Sequence, residues 1–91
     1  MDVKPLKKDP AGNTIHARER MEERGITQEQ IDDAKKNPLH VAEIVTDSQG
    51  RRSQKIIGYN ATVVVNPDTG ETITTYPTGA RRRRKYGSAQ Q

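Results

Sequence analysis

His16 and Arg20 stand one helical turn apart in the segment HARER, and a threonine-rich stretch further on carries Thr74 and Tyr76 at alternating positions. An imidazole with an ordinary pKa near neutrality can move protons. A guanidinium holds a phosphate, and hydroxyls can donate hydrogen bonds to it. With Lys55 as a further cation, these residue types suffice for RNA cleavage without a metal. RNA carries its own nucleophile. The 2′-hydroxyl attacks the adjacent phosphate once a base takes its proton, leaving a 2′,3′-cyclic phosphate and a 5′-hydroxyl. The protein has only to transfer protons and to stabilise the charge on the pentavalent phosphorane. On this reading His16 transfers the proton, Arg20 binds the scissile phosphate and Lys55 steadies the transition state. Thr74 and Tyr76 donate hydrogen bonds, and Tyr76 also offers a ring to a base. Each residue has a plainer reading too. A helix-surface histidine needs no function, Arg20 can pair with Glu23 or Glu19, and a strand lysine is usually solvated. Threonine and tyrosine are simply good strand formers. His40, just after Pro38-Leu39 at a strand start, reads as structural.

Other chemistries find no footing. There is no Walker sequence, no glycine-rich dinucleotide loop, no His-Glu-x-x-His and no Gly-x-Ser-x-Gly. The two histidines and scattered carboxylates show no metal-ligand spacing, so no metal and no cofactor are expected. The absence of cysteine removes disulfides and thiolate sites. No apolar run is long enough to span a bilayer. The charge is lopsided. Residues 1–50 hold eight Lys/Arg against ten Asp/Glu, whereas residues 51–91 hold eight against two. A basic half favours nucleic acid or an acidic protein partner. Arg51, Arg52, Thr78 and the run Arg81, Arg82, Arg83, Arg84, Lys85 are the expected RNA contacts.

The elements that must position these residues can be read in order. Residues 1–13 form a flexible lead-in or linker. Asn13 or Thr14 caps a helix over Ile15–Arg24, with Ala17 and Met21 on one face, His16 and Arg20 on an adjacent one, and Gly25 at its end. Thr27 and Gln30 make a capping box for a second helix, with Ile26 and Ile31 as its hydrophobic staple. Asn37-Pro38 stops that helix. Strands follow at His40–Thr46 and Ser53–Tyr59, joined by the turn Asp47-Ser48-Gln49-Gly50. A hairpin then pairs Ala61–Asn66 with Glu71–Tyr76 around Pro67-Asp68-Thr69-Gly70. The second hairpin strand should end at Pro77, which cannot donate to a ladder. Short connections favour an antiparallel meander. The expected architecture is α+β, with two N-terminal helices packed on a four-stranded antiparallel twisted sheet. One sheet face stays open for binding. The hairpin register that buries fewer polar groups sends Ile73 inward and Thr74 and Tyr76 outward. The domain covers residues 14–78. Residues 79–91 form a basic, partly disordered tail. With only 30% hydrophobic residues and neither Phe nor Trp, the core is small and aliphatic.

The segment HARERMEERGIT, the Asn-Pro that ends the next helix, VVVNPDTGETITTYPT and the basic tail together resemble the C-terminal toxin domains of bacterial polymorphic toxins. The likeness is to metal-independent ribonucleases of the barnase/EndoU/colicin/RelE group, as carried by contact-dependent growth inhibition proteins. It covers roughly residues 14–86. It implies a two-helix, curved-sheet fold and RNA cleavage without a metal. By matching position it places His16 and Arg20 on the helical pair, Thr74 and Tyr76 on the last strand and Thr78 just after it, with Lys55 matched loosely. It also implies a transfer-RNA substrate, neutralisation by a cognate immunity protein, and secretion or cell-surface delivery within a larger toxin that acts in the cytoplasm of a target cell. An acidic immunity protein would suit the basic half, and the free domain would be a monomer. The competing expectation is a non-catalytic RNA- or ribosome-binding module. A weaker one is an interaction domain that docks on an acidic protein and has no affinity for nucleic acid.

Overall fold

Each of the first two helices is started and stopped by its own residues in the computed structural model, which describes residues 12–89. Helix α1 (Ile15–Arg24) is capped by Thr14, whose hydroxyl accepts from the Ala17 amide at 3.1 Å. Gly25 ends it in the left-handed region, at φ 68°, where a β-carbon would be strained. Helix α2 (Gln28–Lys36) begins with the full capping box. The Thr27 hydroxyl accepts from the Gln30 amide, and the Gln30 side chain accepts from the Thr27 amide, both at 3.1 Å. Of the lead-in expected over residues 1–13, residues 1–11 lie outside the described residues.

Five strands follow, β1 (His40–Val41), β2 (Val45–Thr46), β3 (Arg52–Ile57), β4 (Ala61–Val65) and β5 (Thr72–Pro77). They are antiparallel throughout, in the order β1-β3-β4-β5, with β2 pairing the start of β3. The expected four-stranded sheet therefore needs correcting. The single strand expected over His40–Thr46 is two short pieces on the same partner. The Gln54 side chain donates to the Ala42 carbonyl at 3.0 Å, so a side chain occupies a place that a backbone donor would take. A third helix, α3 (Ala80–Ala89), occupies most of the stretch read as a basic tail over residues 79–91. Residues 90–91 of that stretch lie outside the described residues.

One sheet face carries the core. Ala61, Val63 and Val65 of β4 pack against Ile26, Ile31 and Ala34, with Met21 and Ile56 partly buried at the margin. Helix α1 is tied to the outer edge of β5. The Thr14 amide donates to the Thr72 carbonyl at 3.1 Å and the Thr72 amide to the Gly12 carbonyl at 2.9 Å. The Thr14 hydroxyl donates to the Ile73 carbonyl at 3.1 Å, and Arg24 reaches the Thr75 carbonyl at 3.2 Å.

On the opposite face, Lys55, Val64 and Thr74 form one row across three strands, and Ile57, Thr62 and Tyr76 the next. Thr74 and Tyr76 thus point away from the core. Ile73 does not enter it, and that half of the expected register is corrected. The pairing slips between Val64 and Val65, so Val64 faces Thr74 while Val65 faces Thr72. This bulge leaves Ile73 as the extra residue and puts Thr72 opposite Val65 in its stead, buried on the core face as Thr75 is opposite Val63. Burial is tolerable for Thr75 because its hydroxyl donates to the Thr62 carbonyl at 2.9 Å. Nor is this face open along its whole length. His40 pairs with Ile57 and so shares its face, and the Tyr86 ring of α3 stacks on His40 at 4.4 Å. Ile57, Thr62 and Thr78 are buried at that end.

Candidate functional site

Helix α1 has two flanks. Arg18, Met21 and Glu22 line a groove with Ile26 and Gln28 on the core side of the domain. His16 opens on the other side, into a hollow of about 460 Å³. The floor and walls of this hollow come from four places. Thr14 and His16 come from the start of α1, Gly50 and Arg51 from the β2–β3 turn, Arg52 from the first position of β3, and Asn66, Asp68, Glu71 and Ile73 from the β4–β5 hairpin. A second hollow of about 300 Å³ adjoins it, sharing Arg51, Arg52 and Ile73 and adding Val45, Asp47, Ser53 and Val64. His16 is exposed, and the bulged Ile73 forms apolar ground between the two hollows.

The two arginines are held by acids. Arg51 Nε donates to Asp47 at 2.9 Å, and Arg52 Nε approaches Asp68 at 3.2 Å. Both pairs are solvent-exposed, so their energies are small and their value is orientation. Asp47 is the organiser of its turn. One oxygen accepts from the Gln49 and Arg51 amides, at 2.8 and 2.9 Å, and the other from the Arg51 side chain. The Arg51 amide, with the further bonds from Gln49 and the Arg51 side chain, lowers the Asp47 pKa from its usual 3.8. The hairpin loop is ordered in a similar way, with Asn66 accepting from the Asp68 amide at 2.8 Å.

The other expected residues fall in different places. Lys55 and Thr74 lie on the same face, flanking Val64, and are half-buried. Tyr76 lies one row further along, towards α3. The β5 residue that reaches the His16 hollow is Ile73, near the start of the strand, so His16 shares its hollow with Arg51 and Arg52 rather than with Thr74 and Tyr76. Arg20 makes the plainer contact, a 2.9 Å pair with Glu23. Thr78 cannot serve as a surface phosphate ligand, because it is buried. Its hydroxyl donates to the Gly58 carbonyl at 2.7 Å and also meets the Thr62 hydroxyl. Arg83 turns inward to the Tyr59 carbonyl, while Arg81, Arg82, Arg84 and Lys85 are exposed on α3. Sequence reasoning missed Asp68 and Glu71 as members of the site. Their signal was present in Pro67-Asp68-Thr69-Gly70-Glu71, but turn chemistry alone accounts for that stretch.

Among the described residues no three His, Asp or Glu side chains converge as a metal site, and no helix is long and apolar enough to cross a membrane. Residues 14–88 match the family described as Domain of unknown function (DUF4258). The chain belongs to the DUF4258 family. The match begins at the cap of α1 and takes in α3, so both the His16 hollow and the cationic helix are parts of the DUF4258 domain. No curated protein matches the chain, and no solved structure does.

Proposed function

We propose that this DUF4258 domain is a metal-independent endoribonuclease of the toxin type, and that the His16 hollow is where the RNA backbone is cut. The observation that supports the reading is the opening of His16 onto the same hollow as Arg51 and Arg52. An imidazole beside two oriented guanidiniums is what 2′-hydroxyl attack on a phosphodiester requires. His16 takes or returns the proton, and the arginines meet the charge on the phosphorane. Asp68 and Glu71 supply carboxylates at the rim, which can orient the arginines and share in proton transfer. Lys55, Thr74 and Tyr76 continue the surface beyond the hollow and steady the neighbouring phosphates. The products are a 2′,3′-cyclic phosphate and a 5′-hydroxyl.

Transfer RNA is the proposed substrate. The proposed setting is delivery within a larger secreted or surface-borne toxin into a neighbouring cell, with an acidic immunity protein as the neutralising partner and the free domain a monomer. These points rest on the resemblance of the sequence to toxin domains. The test is to express the chain briefly in a susceptible cell and sequence the RNA ends. New 2′,3′-cyclic phosphate ends clustered at a few sites, and absent in a His16→Ala variant, are the expected result. Bound but uncut RNA would favour the second reading, a non-catalytic RNA- or ribosome-binding module. That reading draws on α3, whose exposed Arg81, Arg82, Arg84 and Lys85 need no catalytic centre to hold phosphates.

A further inference from the structure

Tyr59 lies in the β3–β4 turn, at the opposite end of the sheet from the His16 hollow, and 53% of its surface is exposed. Arg83 fixes it in two ways. Its Nε donates to the Tyr59 carbonyl at 2.7 Å, and its guanidinium carbon stands 4.4 Å over the centre of the Tyr59 ring. One face of the ring is therefore backed by a cation, and the residue still offers more than half of its surface to solvent. A single exposed aromatic is ordinary on a protein surface. A tyrosine held by an arginine that is anchored to its own backbone is a different object, because its ring is oriented before anything binds. The other cations of α3, Arg81, Arg82, Arg84 and Lys85, are exposed on the helix that supplies Arg83.

We propose that Tyr59, backed by Arg83, is a stacking seat for one unpaired nucleobase of a single-stranded RNA whose phosphates run along α3. The inference rests on the ribonuclease reading and adds to it the substrate's form. An aromatic face backed by one cation, on a helix that carries four more, matches a base joined to phosphates. A carboxylate-rich peptide would gain from the cations but nothing from the ring. A paired base has both faces covered by its neighbours in the helix, so only an unpaired one can lie on Tyr59. The seat is also remote from the cut. The six residues of β3 separate the Arg52 end from the Tyr59 end, about 17 Å at the rise of an extended strand. Tyr59 thus reads a nucleotide some way along the strand from the scissile phosphate and selects substrates with an unpaired stretch of several nucleotides.

The test measures the affinity of the full chain for a short 2′-O-methylated RNA strand, which cannot be cut, over a series of salt concentrations. Tyr59→Ala and Tyr59→Leu are expected to bind roughly 5- to 150-fold more weakly, the range for removing one stacked base. Their salt dependence is expected to match the wild type, since every cation that meets a phosphate is still in place, and Tyr59→Phe is expected to bind as the wild type does. Leucine keeps the apolar bulk without the π face, and thermal melts of each variant identify any that fail to fold. The fully paired duplex of the same sequence is expected to bind all four proteins alike. Full affinity in Tyr59→Leu, or an equal loss on duplex and single strand, would overturn the stacking seat and leave the ribonuclease reading standing. A wild-type chain that binds no RNA in any form would overturn both.

Discussion

Gly58 lies directly against Ala34, close enough that a β-carbon at position 58 would stand 2.6 Å from the Ala34 Cβ and 2.9 Å from the Ala61 carbonyl oxygen. This approach sets how near α2 comes to the sheet. Gly58→Ala must therefore push the helix, with its buried Ile31, outward from Ala61 and Val63, which are fully buried beneath it. Overpacking of this kind costs about 1–3 kcal/mol. A fall in the urea midpoint with an unchanged slope is the expected result. An unaltered midpoint would mean that α2 can shift without cost.

His16 separates enzyme from binder. It is exposed, and alanine is the better helix former, so His16→Ala should leave the melting temperature nearly unchanged. Cleavage should fall by about 10²–10⁴, the usual contribution of general acid–base catalysis, with RNA affinity retained. Arg52→Ala should lower both rate and affinity, because a phosphate ligand also binds the ground state. Cleavage is expected to persist in excess EDTA. Activity abolished by the chelator and restored by a divalent ion, on a substrate that needs none to fold, would rule out the proposed mechanism.

Helix α3 cannot simply be removed to test its charge, since Arg83 and Tyr86 anchor it to Tyr59 and His40. Replacing Arg81, Arg82, Arg84 and Lys85 by alanine keeps both anchors. If all four meet phosphates, the slope of binding against salt should flatten by about 0.7 for each phosphate of a single strand that is no longer neutralised. A slope equal to that of the wild type would assign the helix to a protein partner.

Asp47 gives a pH signature. Its pKa is lowered in the folded chain by the amides and side chain it binds, chiefly the Arg51 amide. Such a carboxylate adds stability above its unfolded value, and that stability is lost as pH falls through the folded one. Denaturation at a series of pH values should therefore show the wild type ahead of Asp47→Ala at neutrality. The gap should narrow only below about pH 4, near the unfolded carboxylate value. A gap that is constant down to pH 2 would show that the turn does not depend on the charge.

What could be read from the sequence was what neighbours decide. Thr27 with Gln30, Gly25, and the hairpin around Asp68 and Gly70 each act within a few residues, and each lies where local chemistry placed it. The rest depends on partners far along the chain. Nothing near Arg81–Lys85 shows an apolar period, and α3 is held by His40 and Tyr59, both distant in sequence. The bulge at Ile73 reflects how two β-strands share one pairing, which a two-residue alternation cannot express. His16 and Arg51 line one hollow only because Thr14 is bonded to β5.

That last bond has a consequence for how the chain is made. Thr14 and Ile73 are 59 residues apart in sequence, and α1 meets the sheet at its final strand. A ribosome releases the helix long before its dock exists. Until β5 has emerged, α1 has no edge to bind and His16 faces no arginine. Non-local closure of this kind comes late in folding. The hollow therefore assembles only after β5 has left the ribosome.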